Sequence, residues 1–162
     1  MTARLTHIAL HVKELERCVE FYREYCGLKI VRERRDGAGK LIVWLAEPGR
    51  ESEFIFVLLP GGPGRQPTER DFSHFGFALA SRQAVDAIAE KGRQAGCLEW
   101  PPRQEPFPVG YYCGLKAPDG NFVEVKMVAT PYDRAPTEFT LLAWGWQEDL
   151  DESAGGRIER LC

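Results

Sequence analysis

Three side chains in this 162-residue chain have the types and the spacing to hold a metal: His7, His74 and Glu124. Each histidine opens a strand-like phrase, Thr6-His7-Ile8-Ala9-Leu10-His11-Val12 and Ser73-His74-Phe75-Gly76-Phe77-Ala78-Leu79, and the two stand 67 residues apart, from position 7 to position 74. Alternation puts Ile8, Leu10 and Val12 on one face of the first strand and His7, Ala9 and His11 on the other. The last strand-like run, Phe122 to Val128, sorts the same way, with Glu124 opposite Val123, Val125 and Met127. All three candidates therefore turn away from the face that must pack on a helix. Two imidazoles and one carboxylate leave coordination positions open for a bidentate substrate with adjacent oxygens, water or dioxygen. They suit one divalent ion, Fe(II), Mn(II), Ni(II) or Zn(II), without choosing among them.

Positioning these groups falls to a unit that occurs twice. The first, residues 5–59, reads as a strand over 5–12, an amphipathic helix over 13–26 with Gly27 as a left-handed stop, strands over 28–35 and 41–46 joined through Asp36-Gly37-Ala38-Gly39, and a strand over 54–59. Residues 60–72, rich in proline and glycine, form a linker. The second unit, residues 73–128, repeats the order: a strand, a helix with Ser81 as its N-cap, a short strand over 97–100 stopped by Pro101-Pro102, a strand over 110–115, the turn Ala117-Pro118-Asp119-Gly120-Asn121 and the last strand. Setting Phe54-Ile55-Phe56-Val57 on Phe122-Val123-Glu124-Val125 gives an offset of 68, from 54 to 122, close to the 67 of the histidines. On that alignment Phe56 is the counterpart of Glu124, and the four corners of the site are His7, Phe56, His74 and Glu124. Residues 129–162 have no counterpart in the first unit; their apolar patch, 139–146, is expected to pack on the body or on a partner chain.

A net charge of −3 and an isoelectric point near 5.7 argue against a nucleic-acid or anionic-membrane partner. No run of about 18 apolar residues is available to span a bilayer, and the N-terminal residues lack the apolar stretch of a secretory signal, which makes a cytoplasmic protein the expectation. Five cysteines with no C-x-x-C pair suggest neither a disulfide framework nor a zinc ribbon.

The phrases around His7 and His74, together with Phe21-Tyr22 and the closing Ala117-Pro118-Asp119-Gly120-Asn121-Phe122-Val123-Glu124, resemble the vicinal oxygen chelate superfamily. It includes glyoxalase I, extradiol dioxygenases, fosfomycin-resistance transferases and bleomycin-resistance proteins. The resemblance covers residues 5–128. It implies an α+β fold of two βαβββ modules forming an incomplete barrel around a divalent metal, commonly in a homodimer, and a small-molecule substrate. A site drawn from one chain and a site shared between two chains are both open. Resemblance to glyoxalase I makes Glu124 a metal ligand and the base of an isomerisation, with Phe56 standing where bacterial glyoxalase I has a glutamate and His11 where it has a substrate-binding arginine. Extradiol dioxygenases share the His/His/Glu iron set but have a tyrosine where this chain has Gly114. The fosfomycin-type transferase has a threonine where this chain has Ala9, and the bleomycin-resistance type binds a drug or metabolite without metal. His11, Tyr112, Phe56, Arg103 and Trp44 are the expected substrate contacts, with Tyr111 as a further candidate for the pocket wall.

Overall fold

The computed structural model describes residues 3–106 and 108–127; the extension 129–162, with its expected packing patch, lies outside them. Along the chain run β1 (His7–Val12), α1 (Leu15–Cys26), β2 (Lys29–Arg35), β3 (Leu41–Ala46), β4 (Ile55–Pro60), β5 (His74–Leu79), α2 (Arg82–Gln94), β6 (Leu98–Glu105), β7 (Gly110–Lys116) and β8 (Phe122–Met127). Each half is β-α-β-β-β, as the repeat predicts. The strands form two four-stranded sheets, ordered β1-β4-β3-β2 and β5-β8-β7-β6, with no closed barrel.

Local chemistry sets the helix ends. Gly27, at φ 68, turns its N–H back to the Tyr22 carbonyl and ends α1. At the start of α2 the Ser81 hydroxyl accepts the Ala84 N–H at 3.2 Å, satisfying a donor the helix itself cannot. Leu15, Cys18, Val19 and Tyr22 recur at three- and four-residue steps and are buried, so α1 lays one apolar stripe on the core.

That core is common to both modules. Phe56 of β4 packs on Tyr22 of α1 and on Phe75 and Phe77 of β5, with ring centroids 5.9, 5.7 and 5.6 Å apart. Burial of each such ring contributes roughly 1.5–3 kcal/mol. The Tyr22 hydroxyl donates to Asp119 at 3.2 Å, tying the first helix to the last turn, and burial pushes the phenol far above its ordinary range. Asp119, itself buried, also accepts the N–H and the side-chain amide of Asn121 at 3.1 and 2.9 Å. The linker is pinned to the same turn, because the Arg65 N–H donates to the Asp119 carbonyl at 2.5 Å while its guanidinium pairs with Asp71.

Two expectations are corrected. β6 does not stop at Pro101-Pro102 but continues to Glu105. It is the outer strand of its sheet, so the absent proline N–H groups can face away from the ladder. The register shifts on both sides of Trp100 mark where the strand adjusts. The second correction concerns the repeat. In the first module Ile8 pairs with Phe56 and Ala9 with Val57; in the second, Phe75 pairs with Val123 and Gly76 with Glu124. The counterpart of Glu124 is therefore Val57, 67 residues earlier, the same offset as the histidines. Phe56 corresponds to Val123 and lies on the helix side, because a slip of one residue moves a strand side chain to the opposite face.

Candidate metal centre

β5 and β8 run side by side and parallel, with His74 opposite Phe122 and Gly76 opposite Glu124. His74 and Glu124 are thus diagonal neighbours on the face away from α2, and the Nε2 of His74 lies 3.5 Å from a carboxylate oxygen of Glu124. The other ring nitrogen, Nδ1, is 2.6 Å from the Phe72 carbonyl. A carbonyl can only accept, so Nδ1 carries the hydrogen and Nε2 is the atom turned to Glu124. An unprotonated Nε2 facing a carboxylate sets two acceptors against each other, which a shared proton or a cation resolves. A backbone carbonyl holding the far nitrogen is also how a metal-binding imidazole is oriented.

Glu124 is only 8% exposed, and the Nζ of Lys126 stands 3.7 Å from its second oxygen. The wall is aromatic. Trp100 meets His74 edge-on at 5.9 Å and contacts Phe122 at 5.1 Å and Phe72 at 6.5 Å. In the ladder Gly114 lies between Trp100 and Glu124, and a Cβ at that position would come within 2.0 Å of the Trp100 ring. Glycine is required there to let the indole lie across the strand beside the carboxylate. Tyr112 pairs with Lys126 on the same face; its hydroxyl accepts from Arg103 Nε, and the guanidinium sits 5.0 Å from its ring.

His7 is exposed on the corresponding face of the first sheet, with Nδ1 3.0 Å from the Thr6 hydroxyl. Among the described residues no three or more His, Cys, Asp or Glu side chains come close enough to hold a metal. One chain therefore brings His74 and Glu124 together without His7. The physical reason lies in the core: both sheets commit their helix-side faces to it, so the faces that bear His7 and His74 turn away from it.

The remaining expected contacts divide. His11 shares the face of His7, with Nε2 donating to the Pro60 carbonyl at 3.1 Å. Trp44 pairs with Val57 and so joins that face too. Phe56 does not, being buried among Tyr22, Phe54, Phe75 and Phe77. Tyr111 turns to α2, where its hydroxyl donates to Asp86 at 2.6 Å and its ring carries Arg82 at 3.7 Å. Trp100 and Phe72 are absent from the sequence expectations, and Lys126 carries no site role in them. The alternation that selects Glu124 also selects Lys126, but Trp100 could be placed only once β6 was known to pair with β7.

The sequence profile of the Glyoxalase/Bleomycin resistance protein/Dioxygenase superfamily matches residues 4–125, and the chain belongs to that superfamily. An uncharacterised protein of Pseudomonas aeruginosa is 56% identical over 124 residues, 76% of this chain and 88% of its own. A possible glyoxalase from Bacillus cereus superposes with a TM-score of 0.59 at 25% identity, over 77% of this chain and 99% of its own. A variant of the fosfomycin resistance protein FosX from Listeria monocytogenes, complexed with Mn(II) and dihydroxypropylphosphonic acid, superposes with a TM-score of 0.64 at 19% identity, over 82% of this chain and 98% of its own. This second likeness concerns the fold alone.

Proposed function

We propose that the protein is a metal-dependent enzyme acting on a small molecule with adjacent oxygens, its metal held by His74 and Glu124 of one copy and His7 of a second copy in a homodimer. The observation that carries this reading is the His74–Glu124 pair, with Nδ1 committed to Phe72 and Nε2 turned to a nearly buried carboxylate. The outward position of His7, out of reach of that pair, supports a site completed by a partner. FosX, of like fold, is bound to Mn(II). A divalent ion at this place would polarise the two substrate oxygens.

The chain's own residues supply the rest. The Glu124 oxygen turned away from His74 takes a proton from the carbon bearing the substrate hydroxyl and returns it to the neighbouring carbonyl carbon while the hydroxyl proton passes to the other oxygen, an isomerisation of the glyoxalase I type. Lys126, beside Glu124, offsets the carboxylate charge before the proton is taken up and after it is returned. Trp100 and Phe122 limit the water that could capture the transferred proton. Tyr112 and Arg103 on this module, and His11 and Trp44 on the partner's face, contact substrate. Trp100 fills the space over Gly114 where an extradiol dioxygenase carries a tyrosine, which favours isomerisation over ring cleavage. The free cysteines of the described residues accord with a cytoplasmic location.

The test uses Mn(II) titration of the purified protein and of two variants, His7→Ala and Glu124→Ala, alone and mixed. Each variant alone should lose affinity by about 100-fold or more. After subunit exchange, the mixture should regain about a quarter of the sites, because half the dimers are mixed and each mixed dimer has one intact site. Retention of parental Mn(II) affinity by Glu124→Ala would sink the metal reading. No recovery on mixing would confine the site to one chain. Turnover of the methylglyoxal–glutathione hemithioacetal without cleavage of catechol is the expected activity pattern.

A further inference from the structure

The edge strand β2 holds four cations, Lys29, Arg32, Arg34 and Arg35, against the single acid Glu33, in a chain whose net charge is −3. Charge on an exposed edge protects it from pairing with another sheet wherever the charges point. Here they are sorted by face. The ladder pairs Arg32 with Trp44 and Arg34 with Ile42, so both guanidiniums share the face of Trp44, which is the face that bears His7. Glu33 and Arg35 alternate to the other face, and Arg35 is occupied with the Gly39 carbonyl at 2.8 Å. Among the described residues neither the Arg32 nor the Arg34 guanidinium makes an ion pair or a hydrogen bond.

Arg34 is placed with its guanidinium carbon 5.7 Å from the centre of the Trp44 ring, so one side of the cation is held by an aromatic surface and its N–H edge stays free. Val31, Arg32, Arg34, Trp44 and Ile55 enclose an open groove of about 340 Å³. Its far wall, Ile55, is the ladder partner of His7. Two like charges on one strand face are mutually unfavourable, and an anion between them reverses the sign of that interaction. Planar guanidiniums match a carboxylate with paired N–H donors.

We propose that this groove is an anion subsite: Arg32 and Arg34 clamp the carboxylate of a ligand whose flat apolar body lies on Trp44 and Ile55. The inference rests on the proposed function for its place in catalysis, since it makes the substrate a molecule with adjacent oxygens at the His7 end and a carboxylate at the β2 end. Those ends are three strand spacings apart, roughly 14 Å along the sheet.

The test is run on metal-free protein, so it reads the clamp whether or not His74 and Glu124 hold a metal. The indole N–H resonance of Trp44, assigned by its loss in Trp44→Phe, is followed while sodium benzoate, benzamide or inorganic phosphate is added. Benzoate should shift it saturably; benzamide, which keeps the ring but not the charge, should not. Phosphate, which keeps charge but lacks the ring, should bind at least about tenfold more weakly than benzoate. The R32Q/R34Q double variant should weaken benzoate by about tenfold or more, and Arg34→Lys should recover only part of the loss because a point charge cannot form the planar pair. An equal response to benzoate and benzamide, or an unchanged benzoate response in R32Q/R34Q, overturns the clamp. Equal affinity for phosphate and benzoate overturns the role of Trp44.

Discussion

In the first module the residue that the parallel ladder sets beside Ala9 is Val57; in the second, the residue set beside Gly76 is Glu124. Both modules share strand order, helix placement and the 67-residue offset, so the difference lies in the side chains the common frame carries. The second module places an imidazole, a carboxylate and an ammonium together under an indole. The first places an exposed histidine, an aliphatic corner and, three strands away beside a tryptophan, two guanidiniums that have no ion-pair partner among the described residues. The repeated frame is thus divided by charge, with the nearly buried carboxylate of Glu124 on one half and the outward cations of β2 on the other. Among the described residues Glu124 has a single imidazole beside it, that of His74, and His7 has no carboxylate partner.

The largest test of this comparison is a pair of substitutions one residue apart. Phe56→Glu should destabilise the fold by about 3–5 kcal/mol in urea unfolding, because it removes a ring from the shared core and leaves a carboxylate among Tyr22, Phe75 and Phe77. Val57→Glu puts the carboxylate on the face of His7 and should cost the fold less than Phe56→Glu, because Val57, though only 9% exposed, is not part of the shared core, while tightening Mn(II) about tenfold. If Phe56→Glu folds normally and binds Mn(II) more tightly than Val57→Glu, the register of the two modules is wrong.

A smaller effect is expected where the modules differ in their walls. Gly114→Ala drives a methyl into the Trp100 ring and should cost about 1–3 kcal/mol. It should also shift Trp100 fluorescence and loosen His74, read as weaker Mn(II) binding. Unchanged fluorescence with unchanged binding would mean that the indole does not set the pocket wall.

The smallest effect concerns the segment joining the modules. Hydrogen bonding from Arg65, and then from Ser73, holds the Asp71 carboxyl down at about 2 against an ordinary 3.8. A depressed acid stabilises the fold fully above the unfolded value, so this contribution is present above about pH 4 and is lost as pH falls through 2. Asp71→Asn should flatten the acid limb of a stability–pH curve in that window alone. Added salt should mimic part of the change, since the group is at the surface. A loss of stability that is equal at pH 7 and pH 3 would assign the effect to packing instead.

Much of this was legible in the residues. The paired histidine phrases, the β-α-β-β-β order, the Ser81 cap, the Gly27 stop and the face shared by Glu124 and Lys126 all follow from local periodicity and backbone chemistry, which neighbouring residues carry in full. Trp100 was less legible, because two prolines read as an end to β6 when an outer strand can absorb them.

Three things were decided only by the tertiary structure. Phe54-Ile55-Phe56-Val57 is apolar at every position, so either offset fits its letters, and a strand's period of two makes the choice between them a choice of face. The hydrogen bonds to β1 make that choice and put Val57, not Phe56, at the corner. The glycine at 114 acquires its meaning from an indole fourteen residues earlier in the chain. The distance between His7 and His74 is set by which faces two sheets spend on a common core, a quantity that no pattern within either half contains.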